Sequence, residues 1–446
     1  MRRYIKKQVL KAIAALSEVH GQLVEVARKG GYETAMKLLE QCQQNAIDMG
    51  GLIDGTEGEN TPEVHFLEEY CELLYQLHVK LEEGDKFSDL DTVVMLNEPL
   101  RKVAHGVMNR FPTQLEVVFL PYKASMWDSL ESVWKGMKDD PNVNAFVVPI
   151  PYYDRLPGGK FGTIHYEINE YPKDVPVVEF DKYNLKERHP DVVYYHNPYD
   201  EDNFITSIHP FFYSSNLKKL AEELVYIPYY VFDEINNFDE ETLKGVAEFI
   251  LQPGVVNANR VIVQSENWKK AYIELLTKYT SQTDKEYWDK IIEVSKSPKL
   301  VKVANMKAED FSIPEEWQQL IGTGDNKKKV ILYNVSVTTL INAGEAEIDK
   351  IKRVLDTFKE NRDKVVLLWR PHPLVQATLN SLTPELLPPY MEIMDNYRKE
   401  GWGIYDDTPD VDRAIAVSDA YYGDPSSLVA MYKETGKPIM IQNCNV

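Results

Sequence analysis

The hydrophobic pattern of the chain changes once, near residue 112, and this change most limits the folds open to it. Before that point, apolar residues recur three and four positions apart, which is typical of amphipathic helices. From Leu115 onward, short and almost wholly apolar runs such as Leu115–Tyr122 and Val192–Tyr195 alternate with helix-like segments. Strands that are apolar on both faces belong in parallel sheets covered by helices on both sides. The pattern therefore predicts a helical N-terminal unit followed by an α/β body.

The α/β body is long enough for two sheets. A charged segment, Gln282–Pro314, separates a first set of apolar runs from a second set that begins at Val330. We expect three parts: a helical region at 1–112, a Rossmann-like domain at 113–305 and a second Rossmann-like domain at 306–446. Ligands of such sheets bind beyond the carboxyl ends of the strands. The ligand is therefore expected in a cleft between the two domains.

Composition excludes some classes of function. The net charge is −20, whereas nucleic-acid binding requires clustered Lys and Arg, so no nucleic-acid partner is expected. The three cysteines are far apart and lack metal-ligand spacing, which favours free thiols in the cytoplasm. No apolar run approaches the roughly 20 residues of a membrane-spanning helix. A cytoplasmic protein is the resulting prediction.

The N-terminal helical region carries a basic cluster of Arg2, Arg3, Lys6, Lys7 and Lys11. These side chains could touch an anionic membrane surface, which would place the protein at the inner face of the membrane. Stable surface binding usually needs more than one such signal, so a solvated helix face is favoured.

Two motifs near the C-terminus predict an anion site. The first is the apolar run Val365–Trp369, which delivers Arg370 and His372 onto a turn between prolines. In the second, a short strand is followed by Gly423-Asp424-Pro425-Ser426-Ser427 and then by a helix. A small-residue turn between strand and helix offers backbone N–H groups and hydroxyls to an anion. Arg370 and His372 would add side-chain charge.

These motifs resemble the CDP-glycerol glycerophosphotransferase family. The resemblance rests on "RPHP" after an apolar strand, a Ser–Ser pair after an acidic residue, and the later "GKP" strand. It extends to Lys327–Thr339, a basic-flanked strand that ends at Thr338 and Thr339. The family usually has an aromatic residue where this chain has Pro425, and its acceptor-side His-Gly turn is absent. The resemblance implies a GT-B-like fold, with an acceptor domain at 113–305 and a nucleotide-donor domain at 306–446.

The resemblance also implies roles for individual residues. His372 would lie at the donor phosphates, and Arg370, Asp424 and Thr338 would help to bind the donor. Ser426 and Ser427 would join them. Each has a plainer alternative: a salt bridge for Arg370, turn chemistry for Asp424, a helix cap for the serines and a loop-capping role for His372. No cofactor or metal is expected, because a CDP donor already carries a good leaving group.

A general base is expected on the acceptor side. His196 ends the run Val192–Tyr195, at the sheet edge where an α/β domain places its chemistry, and a neutral histidine could take a hydroxyl proton. His209 is the rival candidate, and a purely structural histidine is an alternative for each. The acidic run Tyr199–Asp202 is interpreted as an exposed loop rather than a metal site.

The leading functional hypothesis is a transferase that moves glycerol phosphate, or a related polyol phosphate, from a CDP-activated donor. The acceptor would be a hydroxyl of a glycan or polyol-phosphate polymer, and CMP would leave. One alternative is a glycosyltransferase that uses a nucleotide sugar. Another is a catalytically silent scaffold protein of the same fold. The oligomeric state is left open.

Overall fold

Four long helices form the N-terminal unit of the computed structural model, which describes residues 1–58, 60–84, 89–156, 158–203, 205–372, 375–408 and 410–442. They are α1 (Arg3–Arg28), α2 (Tyr32–Glu57), α3 (Pro62–Glu82) and α4 (Asp89–Asn109). Leu16, Leu39, Leu74 and Leu100 are all buried where the four helices meet. Each such leucine stabilises the bundle by about 1.5–3 kcal/mol.

Helix α2 is longer than the sequence predicted. The Gly-, Asp- and Pro-containing composition of Gly50–Pro62 predicts a loop there and a helix that ends at Met49, but α2 continues through Gly50 and Gly51 to Glu57. Each glycine costs a helix about 1 kcal/mol relative to alanine. The helix persists because its last turns carry Ile53, which is fully buried in the core of the bundle.

The basic cluster at the start of α1 is largely engaged within the protein. Arg3 Nε lies 2.7 Å from Asp191, Lys7 Nζ lies 2.6 Å from Glu222, and Arg2 pairs with Glu116 at 2.8 Å. Lys6 donates to the carbonyl of Phe111 at 2.8 Å and to Thr113 Oγ1 at 3.0 Å. These contacts fasten the helical unit to the α/β body and leave few of the cluster's charges for a membrane surface. None of the described helices has the length and apolar character needed to cross a bilayer.

The first α/β domain contains a six-stranded sheet in which every pairing is parallel. The strand order is β2-β1-β5-β7-β8-β9, so the topology reverses direction between β1 and β5. In chain order the elements are β1 (Leu115–Leu120), α5 (Asp128–Lys135), β2 (Val143–Val147), β3 (Tyr152–Leu156), β4 (Lys160–His165), α6 (Leu185–Arg188), β5 (Val192–Tyr195), β6 (Thr206–Ile208), α7 (Ser214–Leu217), β7 (Glu223–Tyr226), α8 (Glu240–Ile250), α9 (Pro253–Asn257), β8 (Arg260–Val263), α10 (Glu266–Tyr279), α11 (Lys285–Ile291) and β9 (Ile292–Val294).

A small antiparallel sheet, ordered β4-β3-β6, adjoins this domain. The Gly- and Pro-containing segment Arg155–Gly162 predicts a loop, but the ends of β3 and β4 extend into it. Strand β3 is only partly buried and β4 is mostly exposed, so this segment has no continuous hydrophobic run to mark the strands.

The second α/β domain contains a five-stranded parallel sheet ordered β12-β11-β10-β13-β14, which reverses direction between β10 and β13. Its elements, with the helix that precedes them, are α12 (Pro298–Asn305), α13 (Glu315–Ile321), β10 (Lys329–Asn334), α14 (Val337–Ala343), α15 (Glu345–Glu360), β11 (Val365–Trp369), α16 (Val375–Leu382), α17 (Leu387–Glu400), β12 (Ile404–Tyr405), α18 (Val411–Val417), β13 (Ala420–Gly423), α19 (Ser427–Lys433) and β14 (Ile439–Ile441). Two parallel sheets with helices between their strands confirm the predicted fold class, a GT-B-like pair of Rossmann-like domains.

Helix α12 joins the two domains. Its Lys302 bridges Glu131 on α5, at 3.3 Å, and Asp412 on α18, at 2.8 Å. The apolar face of α12 packs against the second domain, where Leu300 and Val303 lie in the hydrophobic core. Helix α5 follows β1 and α18 follows β12, so α12 brings a helix of the first domain next to a helix of the second.

Candidate functional site

A cleft of about 780 Å³ opens at the carboxyl edge of the second sheet, where the strand order reverses. Ligands of open parallel sheets bind at such a reversal because the loops after neighbouring strands diverge there. The polar residues that line it come from the ends of β10, β11 and β13. They are Asn334, Ser336, Thr338, Thr339, Arg370, His372, Thr378, Ser426 and Ser427. Five residues predicted from sequence, namely Thr338, Arg370, His372, Ser426 and Ser427, therefore meet in one cavity.

The end of β10 supplies one wall of the cleft. Ser336 caps α14, and its Oγ accepts the backbone N–H of Thr339 at 3.0 Å. Thr338, one residue earlier in the first turn, is exposed. Asn334 holds the neighbouring strand end in place, because its side-chain amide donates to the carbonyl of Arg370 at 2.9 Å. The Thr338 hydroxyl is thus presented to the cleft while its neighbours hold the turn.

The end of β11 supplies Arg370 and His372, which have different surroundings. Arg370 is only 6% exposed, and its guanidinium donates to Asp406 and, at 2.7 Å, to the carbonyl of Thr408. Its charge is therefore balanced inside the protein, as the salt-bridge alternative held. His372 is exposed at the cleft, although the atoms packed around its ring displace enough water to lower its pKa below the ordinary value of 6.5.

The end of β13 requires a glycine. Gly423 has φ +148°, and a Cβ there would lie 2.1 Å from the carbonyl oxygen of Asn334. This close approach lets the following turn run beside β10. Ser426 Oγ then reaches Asn334 Oδ1 at 3.3 Å, and Ser427 lies exposed at the start of α19.

Asp424 lies beneath the cleft rather than in it. It is 1% exposed, and its carboxylate accepts the backbone N–H of Ser336 at 2.9 Å. Lys350 on α15 approaches the other oxygen at 2.8 Å and also contacts Glu347 at 2.9 Å. The expectation that Asp424 touches the donor gives way to a positioning role, because its carboxylate is buried outside the lining of the cleft and holds Ser336 and Lys350.

The charges around this cleft are nearly all compensated. Arg370 and His372 are the only basic side chains that line it within the described residues, and Arg370 is neutralised by Asp406. A phosphate bound here would meet mainly hydroxyls and His372. Neutral hydroxyls orient an anion but offset little of its charge.

His196 is placed where a general base cannot work without rearrangement. The ring is 0% exposed, Nε2 accepts the backbone N–H of Tyr122 at 3.2 Å, and Nδ1 lies 2.8 Å from Ser129 Oγ. Ser129 donates onward to the carbonyl of Met126, so Nδ1 carries the proton. Burial and the nearby Lys299 lower the pKa of His196 to about 3. With both nitrogens occupied and no access to the cleft, this geometry favours the structural alternative.

The other predicted candidates on this domain lie away from the cleft. His209 Nδ1 accepts the N–H of Phe211 at 3.2 Å, in a shallow pocket formed largely by aromatic residues. In the acidic run, Asp200 is buried and accepts hydrogen bonds from Ser214, so only its neighbours Glu201 and Asp202 form an exposed loop. Across the described residues, no three His, Cys, Asp or Glu side chains are grouped so that they could hold a metal ion.

Sequence reasoning missed three residues that shape the cleft. Asn334 could have been found, because it follows an apolar strand just as Arg370 does. Lys350 had no usable signal, since lysine on an amphipathic helix is normally solvated. Asp406 follows β12, a strand of only two residues, whose apolar run is too short to direct attention to it.

Neither protein-family models nor curated protein sequences match the chain. Among solved structures it is similar to the wall teichoic acid polymerase TagF, with a TM-score of 0.40 and 14% identity over 85% of this chain and 78% of that one. It is also similar to the UDP-GlcNAc 2-epimerase of Neisseria meningitidis bound to UDP-GlcNAc, with a TM-score of 0.40 and 13% identity over 74% and 82% of the two chains. The epimerase of Methanocaldococcus jannaschii gives a TM-score of 0.40 and 9% identity over 73% and 83%. Similarity this weak carries no conclusion about activity, so we argue activity from the site residues.

Proposed function

We propose that the protein is a cytoplasmic transferase that binds a CDP-activated polyol phosphate in the cleft of its second domain. It would pass the polyol phosphate to a hydroxyl of a glycan or polyol-phosphate polymer and release CMP. The observation that carries the proposal is the convergence of Thr338, His372 and Ser427, from three separate strand ends, on one cleft. Hydroxyls and a histidine at the carboxyl edge of a parallel sheet suit phosphate oxygens.

The choice of cytidine and of a polyol rests on the resemblance of the two C-terminal motifs to the glycerophosphotransferase family. In phosphoryl transfer, the protein mainly positions the reactants and stabilises charge. His372 is the group best placed to stabilise the leaving phosphate, because it is exposed at the cleft. The proton of the acceptor hydroxyl needs a base other than His196 as it is placed here.

A binding panel tests the proposal. Thermal shifts would be measured with CMP, CDP, CDP-glycerol, CDP-ribitol, UMP, UDP and GMP, because a ligand that binds only the folded state raises the melting temperature. We expect cytidine compounds to stabilise the protein more than uridine or guanosine compounds. Equal stabilisation by UDP and CDP would favour a nucleotide-sugar glycosyltransferase, and no shift with any of them would end the proposal.

Substitutions locate the site. His372→Ala, and the double change Ser426→Ala/Ser427→Ala, should each weaken CDP-glycerol binding by about 1.5–3 kcal/mol if a charge-assisted contact is lost. Matched controls are His65→Ala and Ser281→Ala, both at exposed positions outside the cleft. Parental affinity in both cleft variants would place the donor elsewhere.

A further inference from the structure

The first sheet also has a reversal of strand order, between β1 and β5, and Lys123 lies at its carboxyl edge. Lys123 follows β1 by three residues, and His196 and Asn197 follow β5. This is the position at which a parallel sheet binds a ligand. Helix α5, which follows Lys123, lies close to α18 at the rim of the cleft, because Lys302 of α12 contacts both Glu131 on α5 and Asp412 on α18.

The side chain of Lys123 is held in place by aromatic rings. Its Nζ lies 4.9 Å from the ring centre of Tyr152 and 5.5 Å from that of Tyr122, within the range of cation–π attraction. The Tyr152 hydroxyl donates to Glu167 at 2.5 Å, and the backbone N–H of Ala124 donates to the other Glu167 oxygen at 2.8 Å. Glu167 therefore fixes both the ring under the ammonium and the backbone beside it.

Among the residues that the structure describes, no carboxylate forms a salt bridge with this ammonium. Within the described residues, every ion pair of this domain near the interdomain helix uses another lysine: Lys299 pairs with Asp128 at 3.3 Å, and Lys302 bridges Glu131 and Asp412. Glu167 is already engaged by Tyr152 and Ala124. Lys123 is thus a half-buried cation, held beside two rings at the carboxyl edge of the first sheet and, among the described residues, without a salt-bridge partner.

We infer that Lys123 binds phosphate oxygens of a ligand that spans the two domains. The inference rests on the proposed function and completes its charge balance, because hydroxyls and one histidine on the second domain leave most of a diphosphate's charge unmet. The phosphate can belong to the donor, as its distal phosphoryl group, or to a phosphate already present on the acceptor. The ordering of the lysine stem between two rings lowers the entropic cost of that contact.

The test uses the full chain with Lys123→Met, which keeps the length of the stem and removes the charge. Lys123→Arg keeps the charge, and Lys173→Met removes a charge from an exposed lysine of the same domain as a control. Binding of CDP-glycerol, CMP, glycerol 3-phosphate and pyrophosphate would be measured by calorimetry at low and high sodium chloride, with the melting temperature of each variant.

We expect Lys123→Met to bind CDP-glycerol at least tenfold more weakly, with a smaller salt dependence and with CMP binding unchanged. If the loss appears only with glycerol 3-phosphate, the acceptor supplies the phosphate, and the inference holds. Lys123→Arg should retain most of the affinity, which guards against a folding defect in the methionine variant. Parental binding of every phosphate compound by Lys123→Met overturns the inference.

The outcomes also separate the inference from the proposed function. If the parent binds pyrophosphate through Lys123 but no cytidine compound, the proposed function fails and the phosphate site stands. If the parent binds CDP-glycerol and Lys123→Met binds CDP-glycerol, glycerol 3-phosphate and pyrophosphate as well as the parent does, the function stands and this site fails. A parent that binds none of the four compounds overturns both.

Discussion

Lys350 Nζ lies 2.8 Å from Asp424 Oδ1, and the two side chains are only 2% and 1% exposed. The pair connects α15 to the turn after β13, and through the other oxygen of Asp424 it also holds the N–H of Ser336 after β10. Burial alone would lower the pKa of Lys350, but the bonds to Asp424 and Glu347 outweigh it and raise that pKa. Two of the three loops that form the cleft therefore depend on one buried ammonium.

Lys350→Met should lower the free energy of unfolding by about 3–5 kcal/mol, because it removes the buried cation that pairs with the carboxylates of Asp424 and Glu347. Asp424→Asn should cost less than this, since Glu347 still pairs with the lysine. The double variant should lose less than the sum of the two single losses. Urea unfolding measures all three, and Lys352→Met, on an exposed pair with Asp349, should change stability by about 0.5 kcal/mol or less. Full additivity would mean that Lys350 and Asp424 do not interact.

The pH dependence of donor binding should report His372. Its pKa is held below the ordinary 6.5, so the ring is neutral at pH 7 and gains charge as the pH falls through that lowered pKa. Affinity for CDP-glycerol should therefore rise as the solution is acidified. The diphosphate diester does not ionise in this range, whereas CMP has a phosphate pKa of about 6.

The comparison with His372→Ala isolates this effect. In calorimetric titrations from pH 7 downward, the variant should lack the rise in affinity, and His65→Ala should retain it. Identical pH profiles for the parent and His372→Ala would remove His372 from the phosphate site.

His196→Ala should lower stability at pH 7 by about 2–4 kcal/mol, because the N–H of Tyr122 loses its acceptor and a buried cavity opens. The folded-state pKa of about 3 lies below the unfolded value of about 6.5. The stabilisation that neutral His196 gives the parent is therefore fully present above pH 6.5 and is lost as the pH falls toward 3. The deficit of the variant should therefore shrink by about 2 kcal/mol between pH 7 and pH 5. A variant with parental stability but greatly reduced turnover would instead restore His196 as the base.

Asp200→Asn should change the pH dependence of stability in the direction opposite to that of His196→Ala. Asp200 is 2% exposed, and burial raises its pKa to about 6 in spite of its bonds to Ser214. The folded state holds a proton that the unfolded state releases above its ordinary pKa near 3.8, so the parent loses stability as the pH rises from about 4 through 6. The variant cannot ionise, and relative to the parent it should gain roughly 2 kcal/mol between pH 4 and pH 7. Urea unfolding checks this against the exposed Asp202→Asn, and parallel profiles for Asp200→Asn and the parent would contradict it.

Most of the fold could be predicted because both sheets are buried on both faces. Runs such as Val365–Trp369 can be recognised as buried parallel strands without any knowledge of their neighbours. The segments that were missed lack that local signal. In the hairpin β3–β4, one strand is mostly exposed and the other only partly buried, and the last turns of α2 contain glycines that packing around Ile53 keeps helical.

Most of the predicted residues do line the cleft, but the sequence did not reveal which of them are buried or already paired. Strand-end logic brings His372, Ser426 and Ser427 to one edge of a sheet, because carboxyl ends of parallel strands share that edge, and the family resemblance added Thr338. The same logic also selected His196 and Asp424, which the structure buries.

What the sequence by itself determined is therefore the order of strands and helices and the list of polar residues that follow each strand, since both depend on neighbours along the chain. Only the tertiary structure decided which of those residues face the cleft and which are already bonded. Asp406 neutralises Arg370 across 36 positions, and Lys350 meets Asp424 across 74. Charge compensation depends on distances of a few ångströms between residues far apart in sequence, and the tertiary packing sets those distances.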